Sequence, residues 1–320
     1  MSSTEYAYAV ANVRARESEL LDDRFFNQLL SGTSFEEAKR MLIDKGFSEF
    51  ENTSDISAAL KNYMEETWEY LQEITPDKNV LDFLVVKNDF HNLKALTKGI
   101  MTDTDGIKYC LKPCLINAED ILNAVKNKSF SDLPLWISEC AKEGYELLSS
   151  SMDGQLFDMF VDKCSLEAMQ KLAADDFSKK LADSFTALTD IKIALRMARA
   201  GVNEMLYDYA LCECDTVDIS ELKSAALKGY GNVVSYIEET EFAELAEYAS
   251  VSAAEFEKNS ENYILALLDS ARRISFGAEP LIAYYAAREA ECRNLRIAVS
   301  AVHIGLPAAA AKERMRELYV

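Results

Sequence analysis

The sequence predicts an all-α protein of three similar helical-bundle domains, on three grounds. Gly and Pro number only 11 and 5 in 320 residues, so the punctuation of β-rich folds is scarce and helix formers dominate. Runs of β-branched residues are short. One motif also returns at near-equal spacing: Asn92-Leu93-Lys94, Asp190-Ile191-Lys192 and Asn294-Leu295-Arg296, the polar positions lying 98 and 104 residues apart.

Read as helices, the three copies share an apolar stripe at one, four and eight residues after the polar position. The stripes are Leu93, Leu96 and Ile100; Ile191, Ala194 and Ala198; Leu295, Ala298 and Val302. Copies two and three then reach Gly201 and Gly305, eleven residues beyond the polar position, where a left-handed residue would stop a helix. Copy one breaks that register, with Gly99 and Gly106 instead. Such a tripeptide also arises by chance, and three unrelated core helices are the alternative; the stripe and the spacing link all three copies, and the glycine links the last two. The period divides the chain into repeats at 1–112, 113–215 and 216–320.

Taken in order, a first helix starts near Ser3 or Thr4 and runs to Leu20, with Tyr6, Val10, Val13 and Leu21 on one side. Asp22-Asp23 caps a short helix, and Ser34 with Glu36 and Glu37 starts another that Gly46 ends. From Ser54 to Ile74 runs an amphipathic helix with Leu60, Met64, Thr67 and Leu71, halted by Pro76. The first copy follows. Asn117 opens the second repeat, whose helices pass through Ile121–Val125, Trp136–Leu148, Leu156–Phe160 and on to Ala200. The third repeat opens near Thr216, with Ser220 as cap, and turns at Gly229-Tyr230-Gly231. A long helix from Pro280 ends at Gly305, and Pro307 opens a last helix to Tyr319.

The net charge is −20, a field that repels nucleic-acid phosphates and anionic lipid, so neither is an expected partner. Residues 271–320 depart from it, with eight basic against five acidic side chains. A positive end on a negative body suits a partner of matching polarity, or simply a solvated basic helix. No run approaches the ~18 apolar residues of a membrane span, and the opening Met1-Ser2-Ser3-Thr4-Glu5 lacks the pattern of a signal peptide. Seven scattered cysteines read as reduced thiols.

No catalytic, cofactor or metal set stands out. A phosphate-binding GxxxxGK[ST] loop is absent. Asp22-Asp23 and Asp175-Asp176 resemble a magnesium-diphosphate motif, but Phe26 and Lys179 stand where its third carboxylate belongs, so both pairs read as helix caps. Asp103-Thr104-Asp105-Gly106 has Met101 and Lys112 at the end positions of a calcium loop and reads as a turn. Cys110/Cys114 and Cys212/Cys214 are misspaced for zinc with only His91 and His303 in the chain. Asp89 and His91 do not face each other on a helix and make no catalytic pair.

The repeated motifs and both chain ends resemble the C subunit of the V-type (archaeal and bacterial V/A) ATPases, equivalent to the d subunit of eukaryotic vacuolar enzymes. The resemblance spans the chain through Tyr6–Leu21, Asp89–Lys94, Glu279–Tyr284, Glu289–Arg296, Gly305-Leu306-Pro307 and Arg314–Val320. It departs at Asn12, where the family usually has a basic residue, and at Ala308–Ala311, where bulky apolar residues are common.

The resemblance implies three helical domains in a pseudo-threefold funnel, set between the central axle of the D and F subunits and the membrane proteolipid ring. The implied role is a non-catalytic rotor subunit of the central stalk, coupling ATP turnover elsewhere to proton or sodium transport. It would be cytoplasmic and peripheral to the membrane. Asn92, Lys94, Asp190, Lys192, Asn294 and Arg296 are then expected near the axis or domain seams, and Arg314 and Arg316 near a partner. The competing reading is an unrelated all-α scaffold or adaptor. Its solenoid repeats would be roughly 34 to 47 residues long, well short of the period here.

Overall fold

Few glycines and prolines leave the chain few places to turn, and it runs most of its length in helices. The computed structural model describes residues 3–32 and 34–319, without the side chains of Ser3 and Thr4, so the cap expected there lies outside the described residues. Those residues form sixteen α-helices and short 3-10 turns, and no strand is found among them.

Local chemistry sets most of the helix starts. α1 (Ala7–Glu17) stops short of the predicted Leu20. Asp22 caps α2 (Asp23–Leu30) and Ser34 caps α3 (Phe35–Asp44), each accepting from the N–H three residues on. α4 (Ile56–Ile74) is capped by Asp55, one residue after the expected Ser54, because that carboxylate reaches the N–H groups of both Ser57 and Ala58. After α5 (Asp82–Thr102), Asn117 caps α6 (Ala118–Asn127). Then come α7 (Leu135–Ser151) and α8 (Gly154–Leu172). Asp175 and Ser178 form a capping box at the head of α9 (Asp176–Ala200), so Asp175-Asp176 serves a helix end as read from the sequence.

α10 (Glu204–Ala210) precedes α11 (Ile219–Lys228), whose cap is Asp218 rather than the expected Ser220. Gly229, at φ 120°, separates α11 from α12 (Tyr230–Glu238). α13 (Ala246–Val251), α14 (Ala253–Leu267), α15 (Glu279–Ile304) and α16 (Ala308–Lys312) complete the chain. The helix predicted to reach Tyr319 therefore ends at Lys312. Downstream, Arg316 gives both its backbone groups to a side chain on α15, which leaves none for a helical ladder.

The helices gather into two compact units, Met1–Leu81 with Glu261–Val320, and Asp82–Ser260. In the first, α15 packs against α1, α2, α3 and α4. Sixteen of its 26 residues are buried, so it has no single apolar stripe and is the core of its unit. Trp68 of α4 meets Tyr285 of α15 edge-on, with ring centroids 5.8 Å apart. In the second, α5 lies along α8 and also packs on α6, while α9 packs against α8, α11 and α12. Gly144 lets α7 approach α8, since a Cβ there would stand 3.0 Å from the Phe157 ring.

The first unit also buries an ion pair. Arg288 and Glu291 of α15 are 3% and 2% exposed and meet at 2.8 Å. Glu291 uses its other oxygen to accept the Leu21 N–H at 2.6 Å, and Arg288 Nε donates to the Tyr284 hydroxyl at 3.0 Å. Burial pushes the Glu291 carboxyl up, against the pull of Arg288. The pair thus fastens the start of α2 to the centre of α15. Because either partner alone would be a buried, uncompensated charge, Glu291→Ala is expected to cost about 3–5 kcal/mol. Denaturant titration measures it; a loss below about 1 kcal/mol would show that the network does not hold the unit together.

Candidate functional site

The polar residue of each repeated motif is fully buried: Asn92, Asp190 and Asn294 are all 0% exposed. A buried amide must find partners for its donor and its acceptor. Asn92 finds both on Leu111, donating to its carbonyl at 3.1 Å and accepting its N–H at 2.6 Å. Asn294 does the same with Arg316, at 2.9 and 2.8 Å. Asp190 accepts the Cys212 N–H at 3.1 Å. Each motif therefore clamps the backbone of the non-helical segment that returns along its own helix.

Further features repeat with the clamp. The first two stripe residues are buried in every copy: Leu93 and Leu96, Ile191 and Ala194, Leu295 and Ala298. Gly201 and Gly305 stop their helices at φ 64° and 69°. The equivalent position in copy one is Asp103, at φ 54°, so copy one keeps the register without a glycine there. Aspartate tolerates this left-handed geometry better than most residues. Gly99 and Gly106 serve a different purpose. A Cβ on Gly106 would stand 2.6 Å from the Ala95 carbonyl oxygen, so its absence lets the returning chain lie directly on α5.

The first two returning segments lead to a buried apolar residue and then a helix cap, Ile116-Asn117 and Val217-Asp218. Leu21-Asp22 has the same form at the start of the chain. Asp89 of α5 accepts the N–H groups of Leu115 and Ile116, the latter at 2.8 Å. Glu291, likewise three residues before its clamp, accepts Leu21. The third copy thus holds the beginning of the chain as the first copy holds the segment that follows it. In copy two Ala187 stands at that position, and Asp183 instead takes the Asp215 N–H and the Thr216 hydroxyl.

The cations lie outside the clamps. Lys94 Nζ is 2.5 Å from Asp162 of α8, and Lys98 is 2.6 Å from Asp158. Lys192 and Arg196 both reach Glu257 of α14, at 3.5 and 2.5 Å. Arg296 is exposed, with no ion pair among the described residues. Arg316 Nε and Arg293 share Glu261, at 2.6 and 2.5 Å. Burial alone would raise that carboxyl, and the two guanidiniums hold it below the usual range. Arg314 is exposed and accepts a bond from Arg316 through its carbonyl. Asp162, Glu257 and Glu261 carried no mark in the sequence, apart from the similar 68- and 65-residue steps from Lys94 to Asp162 and from Lys192 to Glu257.

None of these groups converges on a reacting atom. His91 is bound through Nε2 to the Tyr109 carbonyl, and burial lowers its pKa. Asp103–Gly106 is a turn in which Asp105 accepts the Ile107 N–H. Among the described residues, no cluster of three or more His, Cys, Asp or Glu is placed to hold a metal, and no helix is long and apolar enough to cross a membrane.

Residues 9–314 match the family described as ATP synthase (C/AC39) subunit, an accessory subunit rather than the catalytic one. The chain is similar to the C subunit of the V-type sodium ATPase of Enterococcus hirae, 22% identical over 96% of this chain and 97% of the relative. It is also similar to the C subunit of the A-type ATP synthase of Methanocaldococcus jannaschii, 24% identical over 91% and 81% of the two chains. The corresponding subunit of Methanothermobacter thermautotrophicus is 26% identical over 97% and 87%. With nearly its whole length matched, this all-helical chain belongs to the C/AC39 subunit family of the V/A-type ATP synthases.

Proposed function

We propose that this chain is the central-stalk rotor subunit that joins an axle of D and F subunits to the proteolipid ring of a rotary ATPase or ATP synthase. It passes rotation between the ATP-driven head and the ring that carries protons or sodium. The observation that carries this reading is the end-to-end match to one accessory subunit. The geometry supports it, because the chain's buried polar groups go into fastening backbone to helix rather than into a reaction centre. A body that transmits torque must resist deformation, and close-packed helices with clamped connections do so.

In this reading the repeats 1–112, 113–215 and 216–320 stand around a pseudo-threefold axis as a funnel, on the cytoplasmic side and peripheral to the membrane. The recurring clamp, left-handed stop and pre-cap apolar residue support three equivalent units. So does the third copy's hold on the start of the chain. Asn92, Asp190 and Asn294 then set each unit's internal geometry. Lys94, Lys192 and Arg296 lie at its seams or its axle contact, and Arg314 with Arg316 faces a partner.

Tagged protein drawn from mildly solubilised native membranes is expected to bring D, F and proteolipid subunits with it by mass spectrometry. Recovery of the protein alone would return the scaffold reading to first place. A second test separates clamp from cation. Asn92→Ala or Asn294→Ala removes both hydrogen bonds to a part-buried backbone residue and is expected to cost about 1–3 kcal/mol in denaturant titration. The triple variant Lys94→Ala, Lys192→Ala and Arg296→Ala removes partly exposed or exposed charges, each worth about 0–1 kcal/mol. It is expected to stay folded and to recover less D and F. Full recovery with unchanged stability would remove those cations from any interface.

A further inference from the structure

Two of the three clamps are amides and one is a carboxyl, and the carboxyl is incompletely paired. Asn92 and Asn294 each donate to, and accept from, a single backbone residue. Asp190 makes only the accepting half, from Cys212 N–H to Oδ1. Its Oδ2 is buried with no hydrogen-bond partner. An ionised carboxylate here would be a buried charge with one oxygen unsatisfied, among the costlier arrangements in a protein interior. A protonated carboxyl has nearly the shape of the amide and, like it, sets one donor beside one acceptor, with an O–H in place of an N–H.

We propose that Asp190 is a neutral acid in the folded protein, its Oδ2–H donating to the Cys212 carbonyl, so that the middle clamp is closed by a titratable proton. The proton comes from solvent on folding and returns to solvent when the clamp ionises. The inference rests on the clamp geometry and not on the rotary reading.

The neighbours of Asp190 are consistent with a neutral group. Lys163 of α8 is the cation that acts on it, and Lys163 Nζ donates instead to the Asp208 carbonyl at 2.9 Å. From the returning segment, Glu213, Cys212 and Cys214 face it, and Cys212 Sγ accepts from Gln170 Nε2. Burial pushes the Asp190 carboxyl well above its ordinary value, outweighing the Cys212 N–H and Lys163. Asp89 is the contrasting case. It is also buried, with its pKa raised to about 7, yet both its oxygens face backbone N–H donors and neither is orphaned.

The sign follows from the raised pKa. The stabilisation that Asp190 supplies is complete below its ordinary pKa of 3.8. It declines as pH rises toward the folded-state pKa and is gone above it, by about tenfold in the folding equilibrium constant per pH unit for one proton. Denaturant titration of the full chain and of Asp190→Asn between about pH 5 and pH 9 reads this linkage. The variant is expected to be at least as stable as the parent near neutral pH, with an advantage that widens as pH rises. The difference between the two curves cancels the titration of Asp89. A difference infrared spectrum at neutral pH is expected to show a protonated-acid carbonyl band in the parent that the variant lacks. A variant that fails to fold, or a pH-independent loss of stability with no such band, overturns the proposal. Asp89→Asn, which sets an amide donor against N–H donors, is expected to destabilise at every pH, and the opposite ranking of the two variants would also overturn it.

Discussion

A non-helical segment laid against a helix can draw no backbone hydrogen bond from it, because the helix interior has already paired its own N–H and C=O groups. The segment's peptide groups must then be met by side chains or remain unsatisfied. Much of this structure depends on how that constraint is met. Three times the chain leaves a long helix, turns in the left-handed region and runs back along it, and each time one buried Asn or Asp takes hold of a returning residue. A short side chain on a rigid helix can satisfy such a residue only in one register, so the clamp determines where the next helix begins. The cap that follows the return lies six residues beyond the clamped residue in both copy one and copy two.

The same constraint explains the absence of convergent chemistry in the clamp region. Asp89 is committed to backbone N–H groups, Glu291 to Leu21 and Arg288, and Glu261 to two guanidiniums. Acids that in an enzyme would face a cavity here face the chain itself. Charge is placed by depth: the clamp residues Asn92, Asp190 and Asn294 are fully buried, Lys94 and Lys192 are partly exposed, and Arg296 and Arg314 lie in solvent. Deformation of these returns must break directional bonds to side chains fixed on a helix.

The first unit shows how sequence-distant ends become one body. α15 near the end of the chain is enclosed by α1 to α4 from its beginning, and the Arg288–Glu291 pair ties them with bonds that need desolvated, fixed geometry. Glu291, three residues before the third clamp, meets Leu21 as Asp89, three residues before the first, meets Ile116.

The helical class, most helix ends and the three equivalent helices were legible in the sequence, because caps, stripes and terminal glycines are local signals that act within a turn or two. Asp22, Ser34, Asn117 and Asp175 declare their helices by hydrogen-bonding to residues two or three positions away. What those local rules could not determine was the partner of each motif. That Asn92 holds Leu111, that Asp103 takes the place of a glycine, that Lys192 meets Glu257, and that residues 313–319 leave the helix for Asn294 are all outcomes of packing. The sequence alone determined the helical class and the capped helix starts, but not where the first and last helices end. Tertiary structure decided which buried polar group meets which peptide, since burial removes water as the alternative partner and leaves only the neighbours that the fold supplies.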